Sequence, residues 1–332
     1  MFLGENTLNM RCQVPTRIAI SLIDMNGNLG RLDGGVGFSI NKPSLRFTIR
    51  KAKKLALHDH KKFSDELRTA VISRLTELAE KYSLGGADIL IEDSIPEHRG
   101  FGSKTATLLS LGKLYGAMHD KNLSFEELAL LFGRGGTSGI GVNIIDKGGF
   151  LVDGGHSAKH KDQFAPSSAT VPQTLPPLLA RHHMPEFVVL VVVPPLGKVF
   201  GEAERQFFAD VCPIPEKDVL IISRIILMQL MPAIIENDLL SFAKAINTIQ
   251  SLTWKRCEID IYGPSVRDIM QFGLHSGALA AGMTSIGPGI YFVGQDLKKV
   301  HDRLISKFKL RRGKEIFFTM PNNQGIQYEV LS

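Results

Sequence analysis

Glycine-rich clusters constrain this chain more than any other feature, because they fall where predicted helices, strands and turns meet. The densest, residues 133–141, places five glycines, two hydroxyls and one guanidinium within nine residues. Glycine permits positive φ and close approach of the backbone. Backbone N–H groups turned outward in such turns bind anions. The cluster therefore predicts a site for an anion or a sugar, with a flexible connector as the alternative.

Further clusters cover residues 31–37, 100–105 and 282–289. The cluster at 100–105 follows a predicted strand and precedes a predicted apolar helix. A helix N-terminus facing a glycine loop offers unpaired N–H groups and the positive end of the helix dipole, and Lys104 adds a full charge. The spacing is not that of a Walker A loop. An anion site is predicted here, with an ordinary capped turn as the alternative.

The composition is that of a globular enzyme. The 332 residues are 44% hydrophobic and 22% charged, which suits one large domain or two ordinary ones. The net charge of +6 favours acidic partners such as phosphorylated substrates. Because the basic residues are scattered and not interleaved with aromatic ones, nucleic acid is not expected as a partner.

The cysteines and apolar stretches bear on the compartment. Three cysteines far apart indicate neither a disulfide framework nor a zinc site, and suit a reducing compartment. No signal-peptide pattern is present at the N-terminus. The apolar stretch 219–240 is interrupted by Arg224, Gln229 and Glu236, so no membrane span is predicted. A cytoplasmic protein is expected.

The periodicity predicts two α+β domains. An amphipathic helix is predicted over 63–82 and a capping box at Ser124 and Glu127. Residues 142–153 predict a β-hairpin, and residues 52–62 and 157–185 predict loops. Pro232 is expected to break the helical stretch that begins at 216. The predicted domains are 1–165 and 186–332, joined by a linker over 166–185.

Several motifs resemble the GHMP kinase superfamily, and within it the beta-ribofuranosylaminobenzene 5'-phosphate synthase family. They are LIDMNG at 22–27, LGRLDGGVG at 29–37, IPEH at 95–98, GRGGTSGIG at 133–141 and GGFLVDGGH at 148–156. The resemblance runs over nearly the whole chain. It implies a GHMP two-domain fold, with an N-terminal domain like domain 2 of ribosomal protein S5 and a C-terminal ferredoxin-like domain. A homodimer is also implied.

The resemblance further implies a reaction. A ribosyl group would pass from phosphoribosyl pyrophosphate to the ring carbon of 4-aminobenzoate or 4-hydroxybenzoate, with loss of pyrophosphate and CO₂, in methanopterin-type cofactor biosynthesis. Mg²⁺ is expected, and no organic cofactor. Two positions depart from the family: Ala19 stands where a histidine is expected, and Lys104 where a small residue is expected. A different aromatic acceptor or a lost activity is left open by these departures.

An ATP-dependent small-molecule kinase is the first alternative. Lys104 stands where many superfamily kinases have a second serine that helps to hold Mg-ATP, and Gly141 stands where mevalonate-type kinases place an aspartate beside the acceptor hydroxyl. Because phosphoryl transfer depends on positioning and charge neutralisation, both changes disfavour a kinase. The second alternative is a non-enzymatic module that binds a phosphosugar or RNA.

The resemblance and the charge pattern together select the candidate site residues. The candidate catalytic residues are Asp24, Arg31, Asp33, Lys104 and Arg134. Their cations would hold phosphate groups, and Asp24 or Asp33 would bind Mg²⁺ or ribose hydroxyls, or else cap a turn. Glu97 and His98 are either general acid–base groups or exposed turn residues. The candidate substrate- and phosphate-binding residues are Gly34, Gly35, Gly100, Gly102, Ser103, Thr105, Gly135, Gly136, Thr137, Ser138, Gly139, Asp153, His156, Ser285 and Gly287.

Overall fold

The computed structural model describes residues 9–331, and within them strands and helices alternate irregularly. The strands are β1 (Asn9–Asp24), β2 (Arg31–Ala52), β3 (Ala56–His58), β4 (Gly86–Asp93), β5 (Phe150–Asp153), β6 (His156–Ser157), β7 (Leu178–His182), β8 (Val189–Val192), β9 (Ala280–Met283), β10 (Ile290–Val293), β11 (Ile316–Thr319) and β12 (Gln327–Leu331). The helices are α1 (Asp65–Tyr82), α2 (Ser103–Met118), α3 (Phe125–Leu131), α4 (Ile140–Lys147), α5 (Glu202–Val211), α6 (Glu216–Ile225), α7 (Met231–Ile235), α8 (Leu239–Ser251), α9 (Thr253–Asp260), α10 (Pro264–His275) and α11 (Lys298–Phe308).

The larger sheet is organised around the long hairpin of β1 and β2. Asn9 lies opposite Arg50 and Asp24 opposite Asp33, with register shifts that bend β1 near Pro15 and Ile20. β4 pairs with β2 and carries β3 in parallel, while β5 and β6 pair with the first half of β2. β12 completes the sheet on the free edge of β1. Helices α2 and α4 pack against β1 and β2, which places both helix N-termini beside the middle of β1.

The smaller sheet is antiparallel in the order β11-β8-β10-β9. Its side chains alternate between two cores, as the two-residue repeat of a strand requires. Val189, Val191 and Tyr291 pack into the main core with Phe38 of β2, while Leu190 and Phe292 face α10 and α11. The two halves of the chain therefore share one core, and the α+β class predicted from the sequence is confirmed.

Local signals fix several elements as predicted. Ser64 caps α1 by accepting from the Leu67 N–H at 3.2 Å, and the apolar face of α1 is buried. The capping box of Ser124 and Glu127 at the start of α3 is present. Both helices begin where a side chain replaces the missing backbone acceptor, which is the physical basis of the sequence signal.

Other predictions were wrong. Residues 31–37, expected as a glycine-rich cluster before a strand that begins at Phe38, already form the start of β2, and residues 142–146, expected as a strand, lie in α4. In α4 the four-residue spacing of Ile140 and Ile144 buries both against Leu151. Pro232 does not break its helix, because a π-helical turn at Ile226–Leu230 precedes it and the proline lies in the first turn of α7.

Further elements lie where loops were expected. β3 falls within residues 52–62, and β7, within the expected linker, pairs with β5 of the larger sheet. β12 also joins the larger sheet, although it follows the expected second domain. The helices α5 and α9 were not predicted as separate elements.

The continuous helix Glu216–Ile235 is long and apolar enough, by length and composition alone, to cross a membrane. A core helix of a soluble protein satisfies the same test. Ile222, Ile226 and Leu230 of this helix are buried in the main core. This packing fits a helix of a soluble protein.

Candidate functional site

A cavity of about 260 Å³ opens where the N-termini of α2 and α4 meet the second half of the chain. Its wall has a cationic side, formed by the first half, and a side of acidic and aromatic residues, formed by α5 and α9. The residues that matter most for its chemistry are Arg17, Lys104, Arg134, Glu204, Trp254 and Glu258.

The N-terminus of α2 faces this cavity. Gly102 precedes the helix with φ of 74°, and no side chain caps the first turn. Ser103, Lys104 and Thr105 all line the cavity, as do Gly100 and Gly102. Uncapped N–H groups at the positive end of a helix dipole bind anions. The structure therefore brings the predicted residues of the 100–105 cluster together at one wall.

Arg17 of β1 lies between two glycines, and it was not among the predicted site residues. A Cβ atom added at Gly102 would lie 3.0 Å from Arg17 Nε, and one added at Gly141 would lie 3.1 Å from Arg17 Nη1. The Nε atom is buried and has no hydrogen-bond partner in the described part of the chain. Burial lowers the pKa of Arg17. The two glycines thus leave room for the Arg17 guanidinium beside the N-termini of α2 and α4.

Arg134 lies beside this guanidinium. Its Nε donates to Thr105 Oγ1 at 3.0 Å, which ties Arg134 to the first turn of α2. Burial, and next to it the charge of Arg17, lower the pKa of Arg134 to about 10. Within residues 9–331 neither arginine forms an ion pair with a carboxylate. Two like charges in a partly dehydrated pocket repel each other, and a bound anion would relieve that repulsion.

The loop that carries Arg134 is held by hydrogen bonds to residues on the side that faces away from the cavity. Asp153 accepts from Ser138 Oγ at 2.8 Å and from the Gly139 and Gly155 N–H groups at 2.9 and 3.0 Å. His156 Nε2 donates to Gly135 O at 3.0 Å, and Lys161 Nζ donates to Gly136 O at 2.8 Å.

These contacts engage the carbonyl groups of Gly135 and Gly136 and the N–H group of Gly139 in the loop. Gly135, Thr137 and Ser138 line the cavity, whereas Gly136, Gly139, Asp153 and His156 support the wall from outside it. Burial raises the pKa of Asp153 to about 6 and lowers that of His156 to about 4. The dense glycine cluster is therefore a loop that hydrogen bonds hold in place, and Arg134 is its charged residue at the cavity.

The sequence placed the 31–37 cluster at the site, whereas the structure places it behind the site. Asp24 Oδ1 accepts from the Asn26 and Gly27 N–H groups at 3.0 and 2.8 Å, as an acidic turn cap does. Arg31 donates to Gly154 O and Gly155 O at 2.6 and 2.7 Å. Asp33 is buried and paired with Lys161 at 2.7 Å, and burial raises its pKa to about 7.

Gly34 and Gly35 are packing positions in β2. Gly34 has φ of 73°, and a Cβ atom at Gly35 would overlap Ser138 Oγ. Asp24 and Asp33 also do not line the cavity: Asp24 Oδ1 caps the turn and Asp33 Oδ2 accepts from Lys161, so neither residue forms a magnesium site there. Among the residues that the structure describes, no group of three His, Cys, Asp or Glu side chains could hold a metal ion.

The third glycine cluster joins the two halves of the site. A Cβ atom at Gly100 would overlap Thr284 O, and one at Gly287 would overlap Gly100 N. Thr284 Oγ1 accepts from the Ala19 N–H at 2.9 Å, and the Ser285 N–H donates to Ala19 O at 3.3 Å. Ser285 and Gly287 line the cavity, and Gly287 packs against the backbone of Arg99 and Gly100, just before α2.

At the rim, Lys104, Glu97 and His98 each contact a neighbouring part of the chain. Lys104 Nζ pairs with Glu66 at 3.1 Å, and Glu97 Oε1 accepts from the Ser64 N–H at 2.8 Å. The His98 ring lies over Phe200 with ring centroids 4.4 Å apart. Burial lowers the pKa of His98, which favours the neutral imidazole.

The acidic and aromatic wall was missed because α5 and α9 were not predicted. Trp254 is only 2% exposed, as expected for a core residue, yet it lines the cavity beside Phe208. Glu258 is paired with Lys255, which also donates to Met283 O at 2.7 Å. Within residues 9–331, Glu204 accepts one hydrogen bond, from Ser168 Oγ at 3.3 Å, and burial raises its pKa to about 7.

Comparison with known proteins identifies the family. Residues 69–146 match the GHMP kinases N terminal domain, and residues 230–310 match the GHMP kinases C terminal domain. The chain is 35% identical to the beta-ribofuranosylphenol 5'-phosphate synthase of Archaeoglobus fulgidus, over 97% of this chain and all of that protein. The chain belongs to the beta-ribofuranosylphenol 5'-phosphate synthase family.

Other members of the synthase family agree. The synthase of Methanothermobacter thermautotrophicus is 37% identical over 84% of this chain and 87% of its own length. That of Methanocaldococcus jannaschii is 34% identical over 95% and 99%, respectively. The chain is thus a ribosyl-transferring enzyme of the synthase type, and the family resemblance found in the sequence is confirmed.

Solved structures share the fold of this synthase. A homoserine kinase from Cytophaga hutchinsonii aligns with a TM-score of 0.67 at 14% identity, over 99% of this chain and all of that one. An L. major mevalonate kinase in complex with R-mevalonate aligns with a TM-score of 0.64 at 13% identity, over 97% of each chain. At these identities the similarity shows the fold alone, and the predicted GHMP fold is confirmed.

Proposed function

We propose that this enzyme transfers the ribosyl 5-phosphate group of phosphoribosyl pyrophosphate to the ring carbon of 4-hydroxybenzoate that bears the carboxylate, with release of pyrophosphate and CO₂. The name of the relatives, a ribofuranosylphenol phosphate synthase, supports this acceptor, because such a product keeps the ring hydroxyl. 4-Aminobenzoate is the second acceptor proposed. The product would feed a methanopterin-type cofactor, in a cytoplasmic, homodimeric enzyme.

One observation carries the proposal: the guanidiniums of Arg17 and Arg134 converge with the uncapped N-terminus of α2 on one cavity. Neither arginine has a carboxylate ion-pair partner among residues 9–331. The proposed donor brings a diphosphate and a 5-phosphate, and negative charge grows on the diphosphate as the C1–O bond breaks. Fixed donors directed at developing charge are the strongest means by which enzymes lower such barriers.

The remaining walls fit the other substrate. Trp254 and Phe208 contribute an aromatic part of the cavity wall, with ring centroids 5.0 Å apart. In this proposal the benzoate ring lies against this surface, with its carboxylate-bearing carbon directed to the cations. The enzyme then has to hold the ring and the sugar in contact, since orientation alone can supply about 7–11 kcal/mol of rate enhancement.

We also propose that Mg²⁺ binds together with the phosphoribosyl pyrophosphate donor. It is commonly held by one or two carboxylates together with substrate phosphates. The geometry gives no support to Asp24 or Asp33 as its ligands, so no step of the chemistry here depends on a metal held by the protein. Omission of Mg²⁺ with added chelator should abolish turnover if the donor reacts as its magnesium complex.

A kinase is the second candidate, and the surroundings of Gly141 disfavour it. The guanidinium of Arg17 occupies the space beside Gly141, where the sequence comparison with mevalonate-type kinases led us to expect an aspartate. A permanently charged guanidinium cannot accept the proton of an acceptor hydroxyl. The kinase fold is thus retained while the group next to the acceptor is exchanged for a cation.

A radiochemical assay tests the proposal. The enzyme is incubated with phosphoribosyl pyrophosphate, Mg²⁺ and carboxyl-labelled 4-hydroxybenzoate or 4-aminobenzoate, and released label is counted. We expect donor-dependent release and formation of pyrophosphate in equal amounts. A folded enzyme that releases label from neither acid would refute the proposal, and ATP consumption with sugar or isoprenoid alcohols would favour the kinase.

A further inference from the structure

We propose that Glu204 accepts the proton of the ring hydroxyl of the acceptor, and that this residue makes the enzyme competent for hydroxybenzoates. The inference rests on the proposed function. It assigns a chemical role to the acidic wall of the cavity, which the sequence did not reveal.

The carboxylates at the cavity differ in what neutralises them. Glu258 is paired with Lys255, Glu66 with Lys104, and Glu97 accepts from the backbone and hydroxyl of Ser64. Glu204, in contrast, accepts only from the hydroxyl of Ser168 at 3.3 Å. Of the cavity-lining carboxylates in the described residues, it is the one with open acceptor capacity and no cation in contact.

Glu204 also lies in the right relation to the aromatic wall. Glu204 and Phe208 are four residues apart in α5, so both side chains lie on one face of the helix, about one turn apart. Phe208 packs edge-on against Trp254. A ring stacked on these aromatics with its reacting carbon toward Arg17 and Arg134 has its opposite substituent available to α5. In 4-hydroxybenzoate that substituent is the hydroxyl.

The charges around Glu204 suit a base near neutral pH. Burial raises its pKa to about 7, Glu258 of α9 adds to this, and Arg17 and Arg134 oppose it. A general base functions best when its pKa is close to the working pH. The same carboxyl group can return the proton at the end of the reaction.

The proposed step balances. The hydroxyl proton passes to Glu204, and the phenolate electron pair drives bond formation between the carboxylate-bearing ring carbon and C1 of the ribose. The C1–O bond breaks, and pyrophosphate leaves with its electron pair. The resulting dienone loses CO₂, the released electron pair restores the aromatic phenolate, and Glu204 returns the proton. With 4-aminobenzoate the nitrogen lone pair drives the same addition without loss of a proton.

This difference between acceptors gives a sharp test. Glu204→Gln keeps the size of the side chain and removes the base, and Glu202→Gln on the same helix is the matched control, because Glu202 is exposed and pairs with Arg205. We expect Glu204→Gln to lower kcat with 4-hydroxybenzoate by about 100-fold or more, and with 4-aminobenzoate by less than about 10-fold. Glu204→Asp should recover part of the activity.

Three outcomes would overturn the inference. These are equal losses with the two acceptors, a loss confined to the KM of phosphoribosyl pyrophosphate, and an unchanged kcat with 4-hydroxybenzoate. In the wild type, kcat/KM for 4-hydroxybenzoate should rise with pH through about 7, and this limb should be absent in Glu204→Gln. A wild type inactive with both acids would refute the proposed function itself, which separates the two failures.

Discussion

At the scale of single residues, the decisive feature is the guanidinium of Arg17 beside two glycines. Gly102 and Gly141 have no side chain where Arg17 needs space, with added Cβ atoms at 3.0 and 3.1 Å from its nitrogens. Glycine here matters for its lack of volume, and at Gly102 for its φ of 74° as well. One side chain on β1 thereby changes what the two helix N-termini can bind.

Two substitutions at Gly141 distinguish the effect of added side-chain volume on turnover from the effect of added charge. Gly141→Asn and Gly141→Asp crowd Arg17 equally, but only the aspartate can neutralise it. We expect both variants to lose ribosyl transfer, with Gly141→Asp at least about 10-fold slower than Gly141→Asn, since hydrogen bonds to charged groups contribute about 1.5–3 kcal/mol. Steady-state rates with circular dichroism as a folding control measure this. Equal rates would show that the charge of Arg17 is not used.

At the scale of elements, the loop between α3 and α4 is held by a buried carboxylate. Asp153 of β5 accepts from three donors, two of them in this loop, and it is fully buried. Burial outweighs these hydrogen bonds and raises its pKa to about 6. Because the folded pKa exceeds the unfolded value of about 3.9, the folded state binds more protons between these values.

The sign of the resulting pH dependence is definite. The contribution of Asp153 to stability is complete below about pH 4 and declines as the pH rises to about 6. Asp153→Asn removes this titration. We therefore expect the free energy of unfolding of the variant, relative to the wild type, to improve between pH 4 and 6. Urea unfolding at several pH values tests this, with Asp162→Asn as the control. A difference that worsens with pH would contradict it.

Elements with a local signal could be predicted, and those defined by tertiary contacts could not. The helix α1 has its cap and its apolar repeat within its own sequence, and the glycine loop before α2 has its helix directly after it. In contrast, residues 31–37 become a strand because β1, β5 and β6 pair with them, and α4 becomes a helix because Ile140 and Ile144 pack on Leu151. These partners are distant in sequence.

The residues at the candidate site also divide into those that a local motif marks and those that it does not. The 100–105 cluster, Arg134 and Ser285 line the cavity, and each lies in a motif that the sequence analysis singled out. Asp24, Arg31 and Asp33 also lie in glycine-rich motifs, but their side chains bind elsewhere. Asp24 caps a turn, Arg31 donates to backbone carbonyls, and Asp33 pairs with Lys161. Arg17 and Glu204 were missed because no local pattern marks them, although a lone arginine within an apolar strand was a usable signal.

At the scale of the whole molecule, the cavity exists because two halves of the chain interlock. Gly100 and Gly287 approach so closely that neither tolerates a Cβ atom without movement, and Thr284 links Gly100 to β1 through Ala19. The cations come from the first half and the acidic and aromatic wall from the second. Their spacing therefore depends on this junction.

Gly287→Ala tests the junction. The added Cβ atom would meet the backbone of Arg99 and Gly100, so the junction must open. We expect a loss of about 1–3 kcal/mol in unfolding free energy, as for overpacked cores, together with slower turnover. Gly197→Ala is the control, because nothing lies within 4 Å of its added Cβ atom. Unchanged stability of Gly287→Ala would show that the halves are not held by this contact.

The central claim is that Arg17 and Arg134 form the receptor for the phosphoribosyl donor, and calorimetric titration tests it most directly. Pyrophosphate and phosphoribosyl pyrophosphate are titrated into the wild type, Arg17→Ala, and Arg11→Ala, whose residue lies exposed on the same strand and pairs with Glu92. We expect binding to the wild type and Arg11→Ala, and about 10- to 100-fold weaker binding to Arg17→Ala. Equal affinity for all three proteins would contradict it.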